Sequence, residues 1–252
     1  MKKYLSIIDR RTAQVVLLCI GVTYLCYAFN FSFNLNVMFL SIAVIFPLVF
    51  TIRAAFKRRD NVIRLLSIFK SSLNAVYYCF AINAKLSDSN KRQVADKLNA
   101  ISIMFFGVLR GEDNESDNVR EKIDEVFCFL NDNRDSISNS IAIKIIRFLK
   151  DVHGSIENTV GIKMHGTPVS LRAYCLIFIY IFPFLFIPTL VYDLGTEAPW
   201  IVYALGIMHG FILISLYNVQ IALENPFDQV GMDDIKLEEF HYKNNFSLLE
   251  KA

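Results

Sequence analysis

Four long apolar runs limit what this chain can fold into. The first spans roughly 13–30, AQVVLLCIGVTYLCYAFN, and the second roughly 35–53, LNVMFLSIAVIFPLVFTIR. The third spans roughly 173–192, AYCLIFIYIFPFLFIPTLVY, and the fourth roughly 199–223, PWIVYALGIMHGFILISLYNVQIAL. A helix needs about 20 mostly apolar residues to cross a bilayer, and each run supplies that length. Composition agrees. The 252 residues are 54% hydrophobic, the mean hydropathy is +0.39, and a soluble domain lies nearer about 45–50% apolar. The spacing predicts four transmembrane helices, joined in pairs by FSFN and DLGTEA to make two antiparallel hairpins.

Basic flanks set the orientation. Lys2, Lys3, Arg10 and Arg11 precede run one, Arg53, Lys57, Arg58 and Arg59 follow run two, and Lys163 and Arg172 precede run three. The two short links hold no Lys or Arg. Because positive charge stays inside, both termini and the middle region are expected in the cytoplasm, with the chain in a cell (inner) membrane. No small-residue cleavage site follows run one, so that run is expected to be retained.

The middle region reads as helices. In RDNVIRLLSIFKSSLNAVYYCFAINAKL, apolar residues fall at Ile63, Leu66, Phe69, Leu73, Val76, Tyr77 and Phe80. That spacing carries run two onward as one long helix. KRQVADKLNAISIMFFGVLRG predicts a second helix ending at Gly111, and VREKIDEVFCFLN a third. SISNSIAIKIIRFLKDVHGSIENTVG predicts a fourth, broken near Gly154. Stripes this wide need partners, so a bundle follows. The expected fold class is an all-α membrane protein. Residues 1–56 form a first transmembrane hairpin, and 57–170 form a cytoplasmic helical region continuous with the second helix. Residues 171–223 form a second hairpin, and 224–252 form a C-terminal cytoplasmic docking segment.

The residues that carry chemistry do not cluster. His153, His165, His209 and His241 lie in different segments without ligand spacing. No phosphate loop, dinucleotide fingerprint, zinc-protease or serine-hydrolase motif occurs, and no enzyme activity is expected. A net charge of +2 supplies no field for nucleic acid. Cys19, Cys26, Cys79, Cys128 and Cys175 form no C-x-x-C pair and read as reduced thiols. His209 sits inside run four, where an ionisable group is a functional candidate or a neutral imidazole bonded to a neighbouring helix. A calcium-loop template started at Asp228 meets Val230 and Met232 at ligand positions and fails.

Run two carries two apolar stripes at helical spacing. Val44, Leu48 and Ile52 make one, and Phe46, Phe50 and Ala54 make the other. Both lead into Arg53, Lys57, Arg58 and Arg59. An apolar stripe opening on a basic mouth suits a pore that gates by dewetting, and equally suits packing against lipid or another helix.

Three stretches together resemble the bestrophin family. ENPFDQVGMDDIKLEEF, 224–240, is similar to the segment after that family's last transmembrane helix. TPVSLRAY, 167–174, is similar to the start of its third, with Ser170 in place of a proline and Arg172 as an insertion. FTIRAAFKRRDNVIR, 50–64, resembles the passage where its second helix leaves the membrane, allowing a one-residue gap. The resemblance implies a homopentameric ion channel with an apolar neck on the second helix. Aligned on Arg53, the neck is Val44, Leu48 and Ile52; aligned on Pro47, it is Phe46, Phe50 and Ala54. It also implies a cytoplasmic aperture at Ile143, with Ile141 or Ile145 as rivals. The basic mouth favours chloride over sodium. A cation-selective channel of the same fold, or a non-conducting membrane scaffold or sensor, is the alternative. Membrane lipids and further copies of the chain are the expected partners, with no cofactor beyond possible calcium. The family's calcium acids correspond to Asp228 and, across an insertion, Asp233 and Asp234. Asn225-Pro226 should stop the last helix. Phe227, Ile235, Leu237 and Phe240 should then anchor the tail along the cytoplasmic helices and against a neighbouring subunit.

Overall fold

The computed structural model describes residues 8–112, 116–195, 197–227 and 234–243. Among these the chain is helical without strands: α1 (Arg10–Ala28), α2 (Val37–Ala81), α3 (Asp88–Arg110), α4 (Ser116–Asp132), α5 (Asn139–Met164), α6 (Val169–Leu194) and α7 (Pro199–Glu224). Short 3-10 turns occupy Arg134–Ser136 and Leu237–Phe240.

Local chemistry explains the boundaries. Asp9 and Thr12 form a reciprocal capping box that starts α1. The Ser87 hydroxyl accepts from Asn90 N at 3.2 Å and starts α3 three residues before the expected Lys91. Gly111 at φ 80 ends α3 in the left-handed region where glycine carries no side-chain penalty. The expected break at Gly154 is absent, and α5 runs through it. A mid-helix glycine costs about 1 kcal/mol. The buried Val152 and Ile156 on either side outweigh that cost. Pro47 likewise sits inside an uninterrupted α2.

Packing divides the chain into two compact units, the first comprising the chain to Arg58 together with Gly166–Pro226. Its core holds Val15, Cys19 and Cys26 of α1, Val44 and Leu48 of α2, Ile179 and Phe182 of α6, and Ile214 and Tyr217 of α7. α1 packs on α7 and α6 rather than on α2, its partner in the expected hairpin. Gly206 and Gly210, four residues apart on α7, explain the difference. A Cβ on Gly210 would lie 2.7 Å from Cys19 Sγ and 3.1 Å from Val15 Cγ1. The missing side chain opens the seat that α1 fills, which is how small residues bring helices together where no water drives association. Among the described residues, four helical stretches are long and apolar enough to cross a membrane: Arg10–Ala28, one in Val37–Ala81, one in Asn139–Leu194, and Pro199–Glu224.

The second unit comprises residues 59–165 and the C-terminal segment. A further apolar stripe of α2, from Val62 through Leu66, Phe69, Leu73 and Phe80, is buried in one core with residues of α3, α4 and α5. Phe69 meets Phe105 at a 4.7 Å ring separation. Phe227, Ile235, Leu237 and Tyr242 join the same core. Tyr242 N donates to Ser102 Oγ at 3.0 Å and Lys70 Nζ donates to Glu239 O at 2.7 Å. The segment from Asp234 to Lys243 is thus strapped onto its own bundle.

Candidate pore-lining helix

The two stripes of α2 meet different fates. Successive residues turn about 100°, so positions two apart point to nearly opposite sides. Val44 and Leu48 are 1% and 0% exposed, sealed in the core of the first unit, and the half-buried Ile52 packs against that core. Val44 and Leu48 of the Arg53-based register are thus closed off inside one chain, with Ile52 partly so. Phe46 and Phe50 are 55% and 59% exposed with ring centroids 5.9 Å apart, and Ala54 is exposed too. The same side of the helix continues through exposed Phe39, Arg53 and Lys57.

Arg58 and Arg59 are half-buried. Arg59 lies 4.0 Å from Asp60, a partly exposed pair of small energetic weight. Arg58 Nη1 is sealed from solvent without a hydrogen-bond partner.

Behind the exposed stripe lies a buried polar chain that the sequence reading missed. Thr51 Oγ1 stands 3.0 Å from Gln220 Oε1 and 2.8 Å from Leu48 O. Its one hydrogen serves one acceptor at a time. Gln220, fully buried, donates through Nε2 to Glu224 Oε1 at 3.5 Å. Glu224 Oε2 in turn accepts from Arg172 Nη1 at 3.2 Å. The chain links α2, α7 and α6. Its signal in the sequence was a Gln within an apolar run, a placement that demands a partner. Arg172, read as an orientation flank and as an insertion within TPVSLRAY, is the cation that holds the buried Glu224 carboxylate.

His209 does not join this chain. Its ring stacks on Phe182 at 4.8 Å and on Phe186 at 4.5 Å, and Nε2 has no hydrogen-bond partner. The expected bond to a neighbouring helix is replaced by ring packing.

In the second unit Ile143 is 67% exposed, Ile141 is half-buried against the core, and Ile145 is 0% exposed. Ile145 is thus a core side chain of this unit. Asp228 and Asp233 lie outside the described residues, whereas Asp234 is described and half-buried. Among the described residues no group of three or more His, Cys, Asp or Glu could hold a metal ion.

No family model matches the chain, and no curated protein matches it. Solved structures do. A bacterial bestrophin homologue from Klebsiella pneumoniae, phased with zinc, is 15% identical at a TM-score of 0.76, covering 96% of this chain and 95% of that one. A point variant of the homologue gives 0.75 at 15% identity, covering 96% and 97%. A further structure, described as a membrane protein variant, gives 0.78 at 16% identity, covering 96% and 97%. Four membrane-length apolar helices and this likeness define a helical integral membrane protein. Its fold, along nearly the whole chain, is that of the bacterial bestrophin homologues.

Proposed function

We propose that the chain is one subunit of a bestrophin-like homopentameric ion channel whose central pore is lined by five copies of α2. The observation that carries this reading is the exposed stripe Phe46, Phe50, Ala54 running directly into exposed Arg53 and Lys57. Cations at that end suit the headgroup level of a lipid-facing helix as well as a water-filled axis, and the likeness to bestrophin homologue structures favours the axis. Apolar rings at Phe46 and Phe50 give a dehydrating ion no ligand, so the neck gates by width and wetting rather than by binding. The ring of Arg53 and Lys57 copies below it raises the local concentration of anions, and chloride is the proposed permeant ion.

In this assembly Ile143 narrows the cytoplasmic end. Both termini and the helical unit lie in the cytoplasm, and the membrane is the cell membrane. The insertion that separates Asp228 from Asp233 and Asp234 supports conduction that does not require calcium. The test of assembly is native mass measurement of the detergent-purified protein. Five copies are expected; a monomer that persists across detergents removes the basis for an axial pore.

A further inference from the structure

A groove of about 380 Å³ opens on the second unit between α4 and α5. That lies in the range of about 300–1,000 Å³ found for small-molecule sites. Phe127, Leu130, Ile137 and Ile146 make its walls, and Ala142 lies in its lining. Phe127 and Ile146 are about half exposed, a large apolar surface for the soluble face of a helix pair.

One margin of the groove is polar and of one sign. Arg134, Asn131 and Asn139 line it. Asp132 and Asp135 flank Arg134 in sequence, but neither lines the groove. The Arg134 guanidinium forms no hydrogen bond or ion pair in the described structure, and five N–H donors are left for a ligand. Arg134 is also held in place. It rides on the 3-10 turn Arg134–Ser136. That turn is pinned by Asn83 Nδ2 donating to Ser136 O at 2.9 Å and by Asn133 Nδ2 donating to Phe129 O at 2.9 Å. Asn90 Nδ2 clamps Asn133 Oδ1 at 3.0 Å. The start of α5 adds to the same sign, because Ser138 makes no side-chain cap bond and the first turn holds no acid.

We propose that this groove binds an amphipathic carboxylate, a single apolar chain of medium length ending in one carboxyl group. The apolar walls take the chain, and Arg134 takes the carboxylate through its planar pair of donors, with the Asn131 and Asn139 amides beside it. A neutral alcohol of the same length would keep the apolar contact and lose the charge-assisted one. Ile143, proposed to narrow the cytoplasmic end, also lines the groove, and labelling reads the groove separately from conduction.

The test uses the purified full chain and a decanoic acid carrying a terminal diazirine, with labelled peptides read by mass spectrometry. Labelling is expected between residues 127 and 146, removed by excess decanoate. Arg134→Gln, a change on an exposed side chain, is expected to lower it about tenfold, the scale of one hydrogen bond to a charged group. Ala142→Trp is expected to abolish it by filling the groove. A diazirine-bearing decanol should label weakly and without regard to Arg134→Gln. Label confined to the four apolar helices would overturn the proposal, as would α4–α5 labelling indifferent to Arg134→Gln. Unlabelled α4–α5 peptides would also overturn it, showing instead that a second copy covers the groove.

Discussion

Single side chains separate the two sides of α2. Phe50→Ser is expected to change conductance while leaving thermal stability nearly unchanged, because the ring is exposed in the protomer. Leu48→Ala should do the reverse. It removes a fully buried side chain, which costs about 2–5 kcal/mol, and thermal unfolding followed by tryptophan fluorescence would show it. Equal stability loss in both variants would return the neck to the Val44, Leu48, Ile52 register. The sequence could not make this choice, since both stripes are apolar and both repeat every four residues. What separates them is the company each keeps, and Ile179, Phe182 and Ile214 come from helices far along the chain. Gly210 poses a similar problem for a reader of sequence. It is one glycine in an apolar run until Cys19 and Val15 are seen against it. Gly210→Ala should overpack that seat and destabilise by about 1–3 kcal/mol, lowering the unfolding temperature without touching the stripe of α2.

At the scale of elements, helix existence was legible and helix partnership was not. α2 continues to Ala81 and α3 stops at Gly111, as spacing and a terminal glycine indicate. The pairing of α1 with α7 depends on contacts some 190 residues apart in sequence, which local pattern does not encode. The link from α6 to α7 through Arg172 and Glu224 is of the same kind. Glu224→Gln should destabilise by less than the about 3–5 kcal/mol of a fully buried pair, because Arg172 remains about a third exposed. The C-terminal strap gives a pH prediction. His241 stacks on Phe106 at 4.2 Å and lies 3.5 Å from Ser102 Oγ. Burial pushes its pKa down, Glu238 opposes this, and Arg110 reinforces it. A histidine depressed in the folded state binds fewer protons there than when released. It therefore stabilises docking above its ordinary value of about 6.5 and loses that contribution as pH falls toward the depressed value. Protection of residues 234–243 against hydrogen exchange, referred to the intrinsic amide rate at each pH, should fall from pH 7.5 to pH 5.5, and His241→Asn should flatten the difference. An unchanged pH response in that variant would assign the effect to another group.

For the whole molecule, the class was written in four apolar runs and the fold in their order and flanks. The resemblance rested on short motifs, and the likeness to bestrophin homologues covers about 96% of the chain at 15–16% identity. Such a fold persists because apolar character and helix spacing survive substitutions that erase identity. The site was less legible: Arg53 and Lys57 were named for their charge, but only exposure on one side of α2 joins them to Phe46 and Phe50. The central claim is that this stripe lines a path for anions. A planar bilayer recording of the reconstituted protein in asymmetric sodium chloride tests it most directly. The account predicts discrete currents that reverse near the chloride equilibrium potential. Reversal near the sodium potential would contradict the anion assignment, and a silent bilayer holding correctly assembled protein would contradict the channel itself.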